Sequence, residues 1–175
     1  IKVQNEREQS LLRKELNFLK NQFNSHITFN FLNFCYSKVH RSSPDTAEAI
    51  DLFASMLRYS LVNSADEKVS LMKEIEYIES FIEMQRLLTS QVYAELTCEG
   101  DLENKVILPR VLITFVENAF KHGQFSDPEN PIRILVRADY EGIFLKVSNK
   151  KSKKKHYDNT GVGQENVMQI LQLNY

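Results

Sequence analysis

A chain of 175 residues has room for one ordinary domain or two small ones, and 42% hydrophobic against 26% charged residues is the balance of a soluble globular protein. With 22 basic against 23 acidic side chains and a formal net charge of −1, it lacks the basic excess of a nucleic-acid surface, so direct nucleic-acid binding is set aside. Cys35 and Cys98 stand far apart and outside any C-x-x-C pattern, which favours neither a zinc site nor a disulfide framework and fits a reducing cytosol.

The longest apolar run, VLITFV at 111–116, is too short to cross a bilayer, and no signal peptide opens the chain. A start at Ile1 rather than at methionine is expected of a piece cut from a longer protein, with any sensor or membrane segment upstream. From about Arg7 to Lys38 there is no Gly or Pro, which predicts one long helix. Leu12, Leu16, Leu19 and Phe23 step by 4, 3 and 4, a coiled-coil seam. Strict continuation would put His26, Asn30, Asn33 and Ser37 in that seam, a poor core. The preferred reading lets the apolar stripe drift to Ile27, Phe31 and Phe34, leaving Gln22, His26, Asn30, Asn33 and Ser37 as a polar row beside the core.

Ser42-Ser43-Pro44-Asp45 predicts a turn, and Ala49, Leu52, Phe53, Met56, Leu57 and Tyr59 a second amphipathic helix. Such a hairpin buries too little by itself; two packed as a homodimer give a four-helix bundle. NSADEKVS at 63–70 marks a domain boundary and hinge, dividing 1–66 from 67–175, and Leu71, Ile75, Ile78 and Ile82 define a third helix to about Leu88. Val92 to Cys98 reads as a strand, while 132–138 and 143–148 alternate as two strands of a hairpin through Tyr140-Glu141-Gly142. Pro109 is expected to begin a helix that ends at Gly123. Residues 149–160 read as a polar loop and Val162 to Leu173 as a last helix. The fold class is α+β: a long-helix hairpin followed by a two-layer α/β domain.

Chemistry concentrates in VLITFVENAFKHG. At about 100° per residue, Leu112, Phe115, Val116, Ala119 and Phe120 fill one arc while Glu117, Asn118, Lys121 and His122 share the opposite one. A solvated face near a helix C-terminus is one reading of those four groups. The other is a site for magnesium-bound polyphosphate, with Asn118 as oxygen ligand, Lys121 as point charge and Glu117 on the metal shell or as base. Gly161-Val162-Gly163, opening a helix after five lysines in 150–155, is either a turn or a close approach of backbone N–H groups to phosphate. His26 is either structural or a nucleophile, since a free imidazole is largely neutral at pH 7 and keeps a nitrogen lone pair. Neighbouring amides could fix its tautomer.

In this order the three elements resemble the LytS-type sensor histidine kinases over nearly the whole chain. The family pattern Q-I-N-P-H-F-L-F-N-x-L-N is matched by Gln22, Asn24, His26, Phe29, Asn30, Leu32 and Asn33. LRYSL at 57–61, VSLMKEI at 69–75 and QR at 85–86 look like its connecting helices, LPRVLITFVENAFKHG like its asparagine box and GVGQENV like its lid box. The resemblance implies a dimeric hairpin carrying the histidine, a Bergerat-type domain that binds ATP and Mg2+, autophosphorylation, and transfer to an aspartate of a response-regulator receiver domain. It further implies the cytoplasmic portion of an inner-membrane sensor. By position it makes His26 the phosphoacceptor, Asn118 the magnesium ligand, and Glu117, Lys121 and His122 neighbours of the phosphates. Gly161 and Gly163 then belong to the ATP lid, and Asn149 falls where related ATPases have an adenine-reading aspartate. Ser25, Ile27, Thr28, Gln164 and Ile170 depart from the family pattern, and no acidic residue follows His26. These departures keep a second reading open, a nucleotide-binding signalling scaffold of the same fold without kinase activity. The histidine-bearing hairpin disfavours a third, an unrelated Bergerat ATPase.

Overall fold

The computed structural model describes residues 25–62 and 68–152, together with Gln172. The chain divides into two compact units between Leu61 and Val62. The expected seam at Leu12, Leu16, Leu19 and Phe23, the hinge residues 63–67, the lysine-rich loop from 153 onward, Gly161 and Gly163 all lie outside the described residues, as does the last helix apart from Gln172.

In the first unit, α1 (Ser25–Val39) and α2 (Pro44–Val62) are joined by a short turn. Ser43 N donates to Val39 O at 2.8 Å, closing α1. Pro44 then opens α2 at the position where a missing N–H costs nothing, with Asp45 in the first turn where the helix dipole favours a carboxylate. Ala47 and Met56 are buried; Phe29, Leu32, Cys35 and Val39 of α1 are half-buried. Arg58 of α2 lies over the Phe29 ring, 4.8 Å from its centroid. The stripe expected to face the core is turned out instead: Ile27, Phe31 and Phe34 are 63%, 63% and 56% exposed. Helix α1 carries two apolar stripes at helical spacing, and within one copy of the chain it is the Phe29–Leu32–Val39 stripe that is covered.

The second unit starts with β1 (Val69–Ser70), paired antiparallel with β3 (Val106–Ile107). Ser70 also caps α3 (Leu71–Leu88), its hydroxyl accepting from Met72 N at 3.3 Å. Leu71, Ile75, Ile78 and Ile82 are buried as their spacing predicts. The larger sheet runs β2 (Ala94–Gly100), β4 (Ile132–Ala138), β5 (Ile143–Ser148), with β2 parallel and β5 antiparallel to the central β4. Between β2 and β4 the chain passes through β3 and α4 (Val111–His122), which packs against α3, β4 and β5. Ile132, Ile134, Val136 and Ala138 are buried on one face of β4, while Arg133 and Arg137 stand exposed on the other. Helices therefore cover one face of a mixed sheet, a two-layer α+β arrangement. No helix among the described residues is long and apolar enough to cross a membrane.

Three boundaries differ from the sequence expectation. Strand β2 begins at Ala94 rather than Val92, because Tyr93 spends its backbone on the 125–132 segment: its N–H donates to Phe125 O at 2.8 Å and its carbonyl accepts from Ile132 N at 2.9 Å. The strand ends at Gly100, whose φ of 85° and contact with the Ala138 carbonyl leave no space for a side chain. Pro109 does not begin α4. Arg110 intervenes in a left-handed conformation, φ 66°, uncommon for a residue with a Cβ.

Candidate functional site

His26 stands in the first turn of α1 with its side chain exposed. Its Nδ1 lies 3.2 Å from Asn30 Nδ2, the i to i+4 spacing that stacks two side chains on one helix face. Of the remaining polar row, Asn33 is exposed and Ser37 bonds back to Phe34 O at 2.7 Å, so neither is engaged with the ring; Gln22 lies outside the described residues. No carboxylate is hydrogen-bonded to His26 among the described residues, and the ring partner is an amide.

The second cluster is built on α4. Leu112, Val116, Ala119 and Phe120 seat the helix in the core, Phe120 meeting Phe81 of α3 edge to face at 5.2 Å. Its start is held by a residue that sequence reasoning passed over, Glu74 of α3. That side chain is fully buried, and its carboxylate accepts from Arg110 N at 2.6 Å and Leu112 N at 3.1 Å. A carboxylate at a helix N-terminus satisfies N–H groups that have no partner in the helix. The signal was present: Glu74 occupies a core position in the 71, 74, 75, 78 spacing, where a charge needs a partner.

With its start fixed, α4 presents the four predicted groups on its last two turns. Asn118 is half-buried, and its Nδ2 donates to Thr114 O at 2.8 Å, which leaves Oδ1 to act as ligand or acceptor. Glu117 is exposed along much of its length, yet desolvation pushes its carboxyl above the ordinary range, with Arg110 pulling partly back. Lys121 is exposed and His122 half-buried.

Asn149, just past β5, borders a cavity of about 290 Å³ whose other walls are Phe115 and Ala119 of α4 and Leu145 and Val147 of β5. None of those four wall residues was singled out for a site from sequence, because apolar residues at core spacing carry no chemical signal. The strand end is strapped to the helix end: Ser152 N donates to His122 O at 2.9 Å and Gln124 N to Lys150 O at 2.7 Å. Lys150 Nζ also reaches Asp127 at 3.0 Å, and that hydrogen bond holds the Asp127 carboxyl below the usual range. Gly123 makes the strap possible, since a Cβ there would meet the Ala119 carbonyl and the Asn149 side chain.

Among the described residues no group of three or more His, Cys, Asp or Glu could hold a metal. Magnesium does not require one, because it keeps several waters and is commonly held by one or two protein oxygens together with substrate phosphates. Asn118 Oδ1, on the helix that forms one wall of the apolar cavity, suits that role. The α4–β5 region thus combines an apolar slot with an oxygen ligand and a cation, a donor set compatible with a magnesium nucleotide.

Residues 14–92 match the family model described as histidine kinase. An uncharacterized sensor-like histidine kinase of Staphylococcus epidermidis is 32% identical over 126 residues, 70% of this chain and 23% of the relative. Sensor histidine kinase YpdA of Escherichia coli is 31% identical over 151 residues, 77% of this chain and 26% of the relative. Sensor protein LytS of Streptococcus mutans is 25% identical over 135 residues, covering 77% of this chain and 23% of its own length. The chain spans about a quarter of the length of these relatives.

Proposed function

The chain belongs to the LytS-type family of sensor histidine kinases, and on that premise we propose that it phosphorylates its own His26 from ATP and passes the phosphoryl group to an aspartate of a response-regulator receiver domain. Residues 1–66 serve dimerisation and carry the phosphoacceptor; residues 67–175 form the Bergerat-type ATP-binding domain. The whole is the cytoplasmic portion of a membrane sensor.

The observation that carries this reading is the exposed His26 ring with Asn30 against Nδ1. An asparagine amide can present either end to a ring nitrogen. As placed, Nδ2 faces Nδ1 and donates to it; the proposed phosphotransfer uses the exchanged amide, in which Oδ1 accepts from Nδ1–H and the ring lone pair sits on Nε2, free to attack. The Nε2 pair forms a bond to the γ-phosphorus as the bond from phosphorus to the β–γ bridging oxygen breaks. ADP departs with that electron pair, and the ring then loses its Nδ1 proton to solvent. Asn118 Oδ1 would hold Mg2+, which when bound offsets the phosphate charge; Lys121 and His122 lie on the same face to orient the phosphates, and Glu117 to order the water around them. Gly161 and Gly163 complete the site as the lid, and Asn149 reads the base.

Incubation with γ-labelled ATP and magnesium tests the proposal. Acid-labile label is expected on the wild type and absent from His26→Gln and Asn118→Ala. Nucleotide binding without any label on the wild type overturns the kinase in favour of the nucleotide-binding scaffold.

A further inference from the structure

We infer that the cavity between α4 and β5 accepts guanine as well as adenine nucleotides, with Asn149 as the residue that sets this breadth; the inference rests on the nucleotide-binding reading given above. At about 290 Å³ the cavity lies at the small end of ligand pockets, room for a bicyclic base rather than a whole nucleotide. Phe115, Ala119, Leu145 and Val147 give it apolar walls, which hold a flat ring through its faces and read nothing on its edge. Among its described lining residues, only Asn149 offers a side-chain hydrogen-bonding group. Base discrimination therefore falls on one amide.

Adenine and guanine differ at the 6-position, an amino donor in one and an oxo acceptor in the other. With the 6-position turned to the rim, as the inference places it, and guanine's N1–H and 2-amino donors turned away, a carboxylate there can only accept, so it favours the amine and repels the oxo group. An amide carries both a carbonyl and an NH2 and can answer either base by exchanging ends. Little in the structure opposes that exchange. Among the described residues, Asn149 Nδ2 makes a long 3.4 Å contact to Lys150 O, outside the usual span of N–H···O bonds. The side chain is exposed and lies along the end of α4. The place of a Cβ on Gly123 lies 3.1 Å from Asn149 Cβ and 2.8 Å from Nδ2, so the bare glycine lets Asn149 settle against the end of α4.

Equilibrium titration of the full chain with ATP and with GTP, both with magnesium, on wild type and Asn149→Asp tests this. The two wild-type dissociation constants are expected within about tenfold of each other. The near-isosteric Asn149→Asp should widen the gap to a hundredfold or more in favour of ATP, chiefly by weakening GTP, because a hydrogen-bonding reader of fixed polarity rejects the wrong group strongly. A wild type that binds ATP but discriminates against GTP by a hundredfold overturns the inference and leaves the nucleotide-binding reading intact. So does an unchanged ratio in Asn149→Asp. Binding of neither nucleotide removes both.

Discussion

Glu117 sits beside Asn118 on the exposed turn of α4, and desolvation raises its carboxyl pKa while Arg110 opposes the rise. In the folded chain the neutral acid is therefore favoured relative to the unfolded one. Between the ordinary glutamate value of about 4.3 and the raised folded value, the folded state binds more protons, so stability falls as pH rises through that window. Glu117→Gln removes the ionisation. The variant is expected to unfold at a higher urea concentration than wild type at pH 7, with the difference fading below about pH 4. Equal midpoint differences at both pH values would refute a protonation origin. The same shift moves the carboxyl toward neutrality, where a group beside phosphates can exchange protons. From sequence, the placement of Glu117 on the polar arc was legible and the shift was not, because desolvation depends on neighbours brought by folding.

At the level of elements, what could be read from sequence tracks the length of the repeating pattern. Helix α3 shows its 3.6-residue period over several turns and β4 its alternation over seven residues, and both occupy the expected stretches. Strands β1 and β3 have two residues each, too few to display a period, and they exist because folding pairs two segments separated in the chain by α3 and β2. Helix α1 is ambiguous for the opposite reason: it has two apolar stripes, and nothing local says which packs within one chain and which is left for a partner. The join between α3 and α4 is the element-level feature most open to test. Replacing Glu74 by alanine strips the acceptor from Arg110 N and Leu112 N inside a closed core. Leaving those N–H groups unpaired should cost about 2–4 kcal/mol, read as a lower denaturant midpoint at unchanged slope. Glu74→Gln keeps one acceptor oxygen and should lose less. A Glu74→Ala loss under about 1 kcal/mol would mean that the first turn of α4 is held by its apolar packing alone.

For the whole molecule the question is how the hairpin hides its outer stripe. Ile27, Phe31 and Phe34 are each more than half exposed and, spaced by four and three, lie along one side of α1. Contiguous apolar surface of this kind marks an interaction site in a soluble protein. A second copy of the same hairpin would supply a matching stripe, and a two-fold axis would bring each α1 against its mate in a four-helix arrangement that a single copy cannot build. His26 is adjacent in sequence to Ile27 and lies one helical turn from Phe31 with Asn30, so the same helix would carry the expected dimer contact and the proposed phosphoacceptor on neighbouring faces. A negative charge in the middle of the stripe should separate the copies without touching the cavity beside α4. Phe31→Glu is expected to convert a dimer into a monomer by sedimentation equilibrium while leaving the dissociation constant for magnesium nucleotide unchanged. A wild type that sediments as a monomer at tens of micromolar would show that the stripe serves another partner, and loss of nucleotide binding in the variant would show that dimerisation and the proposed nucleotide site are coupled.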